Sequence, residues 1–251
     1  MILVGIGISP WKTSASMDRN AVEMISVSGG IAMPSFSTAP ASNAAGIVGT
    51  PGTNLILQAG TDSALGNPLF EGGLAYGNGV IGLGAGGTYT TSGAATGAYF
   101  GLGFALEKIM TKLGFSGNIG ISPSSGSSFN LGLLFQPSAL LNLGFTVIGL
   151  SNAGGPGELG MGLGLKFSQN VSFVVDSTFS KALSFLSVQP GLKVGNESAS
   201  LMVSYGSGSG STQLNNNAVA VGGALRFGSR LLWEIYYNKF ATYYTGFAFQ
   251  F

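Results

Sequence analysis

Few residues of this chain could carry out covalent chemistry. The sequence contains no His and no Cys, which removes the commonest general base, thiol nucleophiles and the usual zinc ligands together. Gly82, Gly84 and Gly87 have the spacing of a dinucleotide-binding turn, but Thr88-Tyr89-Thr90 does not open a helix behind them. We therefore expect no enzyme activity, no cofactor and no metal site, although a pair of Asp or Glu residues could still support catalysis.

The ionisable side chains are the remaining candidates for function. Seven of them occupy the small or polar positions of alternating segments, which should face the interior of a closed sheet: Glu71, Glu107, Lys166, Asp176, Lys193, Arg226 and Glu234. They could pair with one another or with an N-terminal segment and so stabilise a filled interior. They could instead line a solute path, since ionisable groups within a membrane protein are functional candidates. Because four are acidic and three are basic, we do not expect strong ion selectivity.

The segments that must position these side chains have the period of β-strands. Between Glu158 and Phe167 every second residue is large and apolar, and the residues between them are glycine or charged. The same alternation recurs at residues 141–147, 171–178, 231–238 and 243–251. Apolar residues that face lipid and alternate with small or polar residues that face a lumen are the pattern of a transmembrane β-barrel.

The composition excludes the main alternatives to a membrane barrel. Charged residues make up 8% of the 251 residues and hydrophobic residues 45%, so neither a soluble globular protein nor a disordered chain is expected. The best candidate for a membrane helix, Leu131 to Leu150, is interrupted by Gln136, Pro137 and Asn142. A net charge of +1 argues against nucleic acid as a partner, and the expected partner is the lipid bilayer.

Counting the alternating segments predicts an all-β fold, a closed antiparallel barrel of about fourteen strands with a range of twelve to sixteen. The predicted strands are residues 22–33, 69–76, 80–89, 97–106, 113–121, 129–136, 141–148, 158–167, 171–179, 186–194, 199–206, 218–227, 231–239 and 243–251. Alternating short and long connections place both termini at the periplasmic side of a bacterial outer membrane. Residues 22–251 then form a single barrel domain with one long outer loop at 34–68, in which Leu55 to Gln58 could be a short extra strand or lid.

Residues 1–21 precede the predicted barrel and are too few for a second domain. We expect them to enter the lumen as a plug, and the plug candidates are Trp11, Lys12, Asp18, Arg19 and Asn20. No basic region followed by a long apolar run opens the chain, so the numbered sequence is expected to begin after a removed or replaced secretory signal. The alternative is that Met1 to Ser9 is a remnant of that signal.

Two further features concern the barrel wall and its insertion. Pro190 falls within the predicted strand 186–194 and removes a ladder donor, so the strand should be bulged or kinked there. A kink of this kind could open a lateral gap in the wall. Phe247, Phe249 and Phe251 occupy alternate positions up to the last residue, and they resemble the C-terminal signal by which outer-membrane barrels are recognised for insertion.

Several stretches of the sequence resemble one known family of barrels. Asp18–Ala21, Ile25–Gly30 and the glycine-rich stretch Glu71–Gly84 look like the start of barrels of the long-chain fatty acid transporter (FadL-like) superfamily. The resemblance implies about fourteen strands, an N-terminal segment in the lumen, an aromatic C-terminus and a wall opening that releases greasy substrate. The same family resembles barrels that serve as scaffolds or secretion partners, so the resemblance by itself leaves the function open.

The sequence thus predicts a passive channel for small hydrophobic solutes, in which the outer loop 34–68 collects the solute and residues 1–20 gate it from below. The alternative is a structural or scaffold barrel that holds a lipoprotein or another envelope protein. A hydrophobic small molecule, detergent or lipid in the lumen is expected for the channel. An apolar cavity that is open to the outside or to lipid would indicate transport, whereas a plugged lumen would indicate a scaffold.

Overall fold

The computed structural model describes residues 31–34, 39, 43–49, 52–62, 67–90, 97–121, 127–150, 157–180, 182–196, 198–208, 218–238 and 243–251. These residues include two short 3-10 helices, Ala44–Gly49 and Glu107–Ile109. The strands are β1 Gly52–Asp62, β2 Asn67–Gly77, β3 Ile81–Thr90, β4 Gly97–Leu106, β5 Thr111–Gly120, β6 Ser128–Phe135, β7 Leu141–Leu150, β8 Glu158–Ser168, β9 Val171–Ser180, β10 Phe185–Gly195, β11 Ala199–Gly208, β12 Ala218–Phe227, β13 Leu231–Asn238 and β14 Tyr243–Gln250. None of the helices among the described residues is long and apolar enough to span a membrane.

The strands form a single closed barrel. Each strand pairs antiparallel with its neighbours in sequence, and β1 closes the sheet by pairing with β14, Leu55 lying opposite Phe249. Closure leaves no strand edge whose backbone N–H and C=O groups would face hydrocarbon without a partner. The predicted fold class, a closed antiparallel barrel of fourteen strands, is therefore confirmed.

Side chains alternate between an apolar outer face and a small or polar inner face. On β2, Leu74 is 54% exposed while the next residue, Ala75, is 3% exposed. On β7, Phe145 faces outward and Asn142 and Thr146 are buried on the inner face. Large exposed apolar residues on nearly every strand would be unfavourable in water, and they are the surface that a bilayer requires.

The connections at the two ends of the barrel differ in length. Short turns at residues 78–80, 169–170 and 228–230 join strands at one end, where Gly52 and Phe251 also lie. At the other end the connections are mostly longer, for example residues 209–217. Periplasmic turns are short and extracellular loops are long in barrels of this type, so we call the first end periplasmic and the second outer.

The structure differs from the sequence-based boundaries at the beginning of the barrel. The first strand is β1, Gly52–Asp62, which is paired along its length with β2 and β14. Residues 34–68 are therefore not one outer loop, and Leu55 to Gln58 belongs to a full wall strand. Of the predicted strand 22–33, residues 31–33 form a bend and residues 22–30 lie outside the described part of the chain. Among the described residues β1 is the first wall strand, and the closed barrel has the predicted even count of fourteen.

Residues 31–34, 39 and 43–49, which we call the inner segment, lie inside the barrel. Ile31, Ala32, Ile47 and Val48 are each 0% exposed. The first 3-10 helix, Ala44–Gly49, packs against the inner faces of β2 to β6. A closed barrel has no other interior core, so the inner segment supplies the apolar packing on the lumen side of these strands.

Candidate luminal site

A row of wall glycines fits the inner segment against the barrel. Register pairs link Gly82 to Gly103, Gly103 to Gly114 and Gly114 to Gly132, and the row continues through Thr146 to Gly160. We call the five glycines the glycine row. They cross strands β3 to β8 on the inner face, and the inner segment follows them around the wall.

Close contact explains why these positions are glycine. A Cβ atom at Gly82 would lie 2.5 Å from the carbonyl carbon of Ile47, and one at Gly103 would lie 2.7 Å from Cγ2 of Val48. At Gly114 and Gly132 it would fall on the main chain of Ala44 and on the Asn43 side chain. Any other residue would force the segment off the wall. The inward glycines therefore allow close approach of an inner segment rather than a wider passage.

Asn43 anchors the inner segment at the centre of the glycine row. Its side chain is fully buried, and its Nδ2 donates hydrogen bonds to the carbonyl oxygens of Ile31 at 2.8 Å and Leu133 at 3.1 Å. Its Oδ1 accepts a bond from the N–H of Ala45 at 3.2 Å. The residue thus joins two parts of the inner segment to β6, and it satisfies polar groups that would otherwise be buried without partners.

Asp176 on β9 holds the other end of the inner segment. The backbone N–H groups of Ile31 and Ala32 donate to its two carboxylate oxygens at 2.8 Å and 3.2 Å. Asp176 is 9% exposed, and hydrogen bonds to a buried charged acceptor are stronger than bonds between neutral groups. The Asp176 carboxylate thus fixes the inner segment to β9.

The remaining predicted luminal residues are distributed over the two halves of the barrel. Glu71 lies on the inner face of β2 and accepts a hydrogen bond from the Tyr99 hydroxyl. Lys166, Lys193, Arg226 and Glu234 also occupy inward positions, close to the periplasmic ends of β8, β10, β12 and β13.

Glu107 differs from the prediction. It begins the second 3-10 helix, Glu107–Ile109, in the exposed turn between β4 and β5. The strand ends at Leu106, so the alternation that placed Glu107 inward stops one residue earlier. Glu107 therefore does not line the lumen.

Lys112 is an inward residue that sequence reasoning missed. It is the second residue of β5, and it shares its parity with Gly114 and Ser116 on the inner face. The predicted strand began at residue 113, two positions after β5 begins, although the parity itself would have pointed Lys112 inward. With Lys112 included, the inward basic side chains of the described residues lie near the periplasmic end, while Glu71 and Glu158 lie closer to the outer end. The inward bases are thus concentrated at the periplasmic end, where Glu234 also lies, while the inward acids are spread along the barrel.

The inner wall combines paired polar groups with buried aliphatic side chains. Hydroxyl and amide groups on adjacent strands bond to one another, as in Thr178 with Ser187 at 2.6 Å and Gln189 with Ser204 at 3.2 Å. The inward aliphatic residues with low exposure are Ile56, Leu134, Ile148, Val174 and Met202. These polar groups already use part of their hydrogen-bonding capacity on one another. An apolar molecule beside them therefore leaves fewer donors and acceptors unpaired than it would beside polar groups that bond only to water.

Pro190 coincides with a gap in strand pairing. The β10–β11 ladder pairs Val188 with Ser207 and resumes at Gly191 with Ser204. On its other side Pro190 stays in register opposite Val175. The register shift of β10 lies elsewhere, between Phe185 and Ser187, so Pro190 interrupts the ladder without a bulge. A role of this gap in releasing solute stays a prediction.

The other predicted site residues can be placed briefly. Phe247, Phe249 and Phe251 have the outward parity of β14, and Phe251 is 75% exposed. Their role in insertion stays a prediction. The plug candidates Trp11, Lys12, Asp18, Arg19 and Asn20 lie outside the described residues. No group of three or more acidic, His or Cys side chains that could hold a metal ion occurs among the described residues.

Comparisons with known proteins identify the architecture. No protein-family model matches the chain, and no curated protein matches it. The fold is similar to a solved structure of the CymD monoaromatic hydrocarbon channel, with a TM-score of 0.65 and 12% identity over 92% of this chain and 97% of that chain. It is also similar to the toluene transporter TodX of P. putida, with a TM-score of 0.58 and 11% identity over 90% and 99% of the two chains.

A third solved structure extends the likeness beyond these two proteins. The outer membrane protein Omp33 of Acinetobacter baumannii has a TM-score of 0.56 and 9% identity over 80% of this chain and 98% of that chain. The three likenesses show a shared fold. This protein is an outer-membrane β-barrel. A closed barrel with an apolar exterior is built for that bilayer, so the predicted location in a bacterial outer membrane is confirmed.

Proposed function

We propose that the barrel is a passive channel for small hydrophobic solutes, of the type found in the long-chain fatty acid transporter superfamily. The observation that carries the proposal is the inner wall, where buried aliphatic side chains such as Ile56 and Met202 lie among polar groups that bond to one another. A wall of this kind lets an apolar solute pass without leaving many polar groups unpaired.

The comparisons support the same proposal. Two of the proteins that share the fold are described as a monoaromatic hydrocarbon channel and a toluene transporter. Their likeness extends over nearly the whole of both chains, so it concerns the complete barrel and not one part of it. We propose by this analogy that the solutes of this barrel are small hydrocarbons, including single-ring aromatic compounds.

The inner segment would narrow the path along β3 to β8. It is packed against the glycine row on β3 to β8, so a solute entering from the outer end would pass along the wall formed by the other strands. The mechanism is diffusion along this wall and involves no covalent step. The resemblance implies an N-terminal segment in the lumen of a channel as well, so the inner segment against β2 to β6 is not by itself the complete plug that would indicate a scaffold.

A binding experiment with matched variants tests the proposal. The purified full chain in mild detergent is incubated with toluene, and native mass spectrometry measures stoichiometric adducts and any molecule that co-purifies. We expect an adduct for the wild-type chain that is weakened by Ile56→Thr, because Ile56 is an inward apolar residue of the wall strand β1 and Thr makes that part of the inner wall polar. Leu57→Thr, an outward neighbour at 47% exposure, is the control. A co-purifying protein without any bound small molecule, or equal effects of the two variants, would contradict the proposal.

A further inference from the structure

Two lysines and a serine lie side by side on the inner wall near its periplasmic end. Lys166 on β8 is in register with Ser172 on β9, and Ser172 is in register with Lys193 on β10. All three have the inward parity of their strands. Adjacent strands are about 4.8 Å apart, so the two lysine Cα atoms are separated by roughly 10 Å, twice that spacing. Both ammonium groups can therefore reach a point above Ser172.

The lysines at this position repel one another. Lys166 acts electrostatically on Lys193 and also on Lys112, which has the same charge. Glu234 acts on Lys193 with the opposite sign. Like charges on nearby strands destabilise a sheet unless an opposite charge compensates them. Lys193 thus has one acidic and one basic neighbour, and Lys112 has Lys166 as a basic neighbour.

We propose that Lys166, Ser172 and Lys193 form a binding site for a small oxyanion at the periplasmic end of the lumen. Two ammonium groups and a hydroxyl supply donors that converge on one acceptor group, and charge-assisted bonds of this kind are stronger than neutral ones. A phosphate or carboxylate group fits the donors and neutralises the repulsion between the lysines. Lys112 adds positive charge beside the site.

This inference goes beyond the proposed function and does not depend on it. A bound oxyanion would be held near the periplasmic end of the lumen, whether or not hydrocarbons cross the barrel. The balanced number of acids and bases in the sequence gave no reason to expect such a site, because the meeting of Lys166, Ser172 and Lys193 appears only when the strands are placed in register.

Isothermal titration calorimetry of the detergent-solubilised full chain with inorganic phosphate tests the site at constant ionic strength. We expect saturable binding that Lys166→Gln and Lys193→Gln each weaken by about 10- to 100-fold, the equivalent of one hydrogen bond to a charged group. Lys108→Gln is the matched control, because Lys108 lies in the exposed turn between β4 and β5 at the same end of the barrel.

The outcomes separate the site from general attraction to positive charge. Gel mobility with and without heating first establishes that each variant is folded. Binding that is lost in the two luminal variants and kept in Lys108→Gln supports the site. Absence of saturable binding to the wild-type chain overturns it, and so does an equal loss in all three variants. Neither result bears on toluene binding, so the two proposals can fail separately.

Discussion

Replacing Asp176 by Asn should loosen the inner segment from the wall. The carboxylate accepts two backbone hydrogen bonds, from Ile31 at 2.8 Å and Ala32 at 3.2 Å. The amide keeps one acceptor oxygen, but its NH2 group then faces a backbone N–H, so one bond is lost. A hydrogen bond to a buried charged group contributes about 1.5–3 kcal/mol, and we take about 2 kcal/mol for this one.

Hydrogen exchange measured by mass spectrometry reads this loss directly. A decrease of about 2 kcal/mol in the free energy of local opening corresponds to roughly 30-fold faster exchange, because 1.4 kcal/mol is a factor of ten. The faster exchange should be confined to peptides that cover the inner segment, residues 31–34 and 43–49. Strand amides of β9 itself should change much less, since the barrel ladder remains complete.

Thr178→Val is the matched control for this prediction. Thr178 lies on the same strand and the same inner face, and it bonds to Ser187 at 2.6 Å rather than to the inner segment. Its removal disturbs the wall without touching Ile31 or Ala32. Unchanged exchange in Asp176→Asn would refute the role given to the carboxylate. Equal acceleration in the two variants would show that any change in the inner wall releases the segment.

Three further predictions concern the wall. Gly82→Ala places a Cβ 2.5 Å from the Ile47 main chain and should lower the free energy of unfolding in urea by about 1–3 kcal/mol. The control is Gly223→Ala, whose Cβ would be 3.7 Å from its nearest atom and which should change that free energy by less than about 0.5 kcal/mol. Equal changes in the two variants would contradict the close approach of the inner segment to Gly82. Phe100→Ala removes outward ring contacts with Phe115 and Phe129, at centroid distances of 5.7 Å and 6.5 Å, and should lower the free energy of unfolding by about 1–3 kcal/mol in the same assay. An unchanged urea midpoint would show that the ring contacts contribute nothing beyond their contact with lipid. Pro190→Ala restores a backbone donor at the gap in the β10–β11 ladder. If solute leaves through this gap, the closed ladder should slow hydrocarbon uptake by whole cells. An unchanged uptake rate at equal surface expression would exclude a lateral route there.

Most of the barrel could be predicted because lipid and lumen impose opposite demands on alternate residues. β8 is an example, because each outward residue, such as Met161 or Leu163, is large and apolar, and the inward residues Gly160 and Gly162 beside them are small. β1 lacks this alternation, and in its place the sequence predicted only a possible short strand or lid at Leu55 to Gln58. Its inward Ile56 is buried at 3% exposure, so Leu55-Ile56-Leu57 is a continuous apolar run without the period of two.

The candidate site was less accessible to sequence reasoning. Parity alone gives the inward direction of Lys166, Asp176 and Lys193, but it does not say which residues meet. The bond from Ile31 to Asp176 joins positions 145 residues apart, and only the closed sheet brings them together. Glu107 was misplaced because parity was carried one residue past the predicted strand 97–106, and β4 does end at Leu106. Strand ends are the positions at which alternation carries the least information.

The most direct test of a passive hydrocarbon channel is the initial rate of radiolabelled toluene uptake by intact Gram-negative cells with a complete lipopolysaccharide leaflet. Cells that express the folded barrel should take up toluene faster than cells without it, in proportion to the amount of surface barrel. The rate should be unaffected by a protonophore, because diffusion requires no energy source. An uptake rate that is independent of the amount of folded barrel in the membrane would contradict the proposed function.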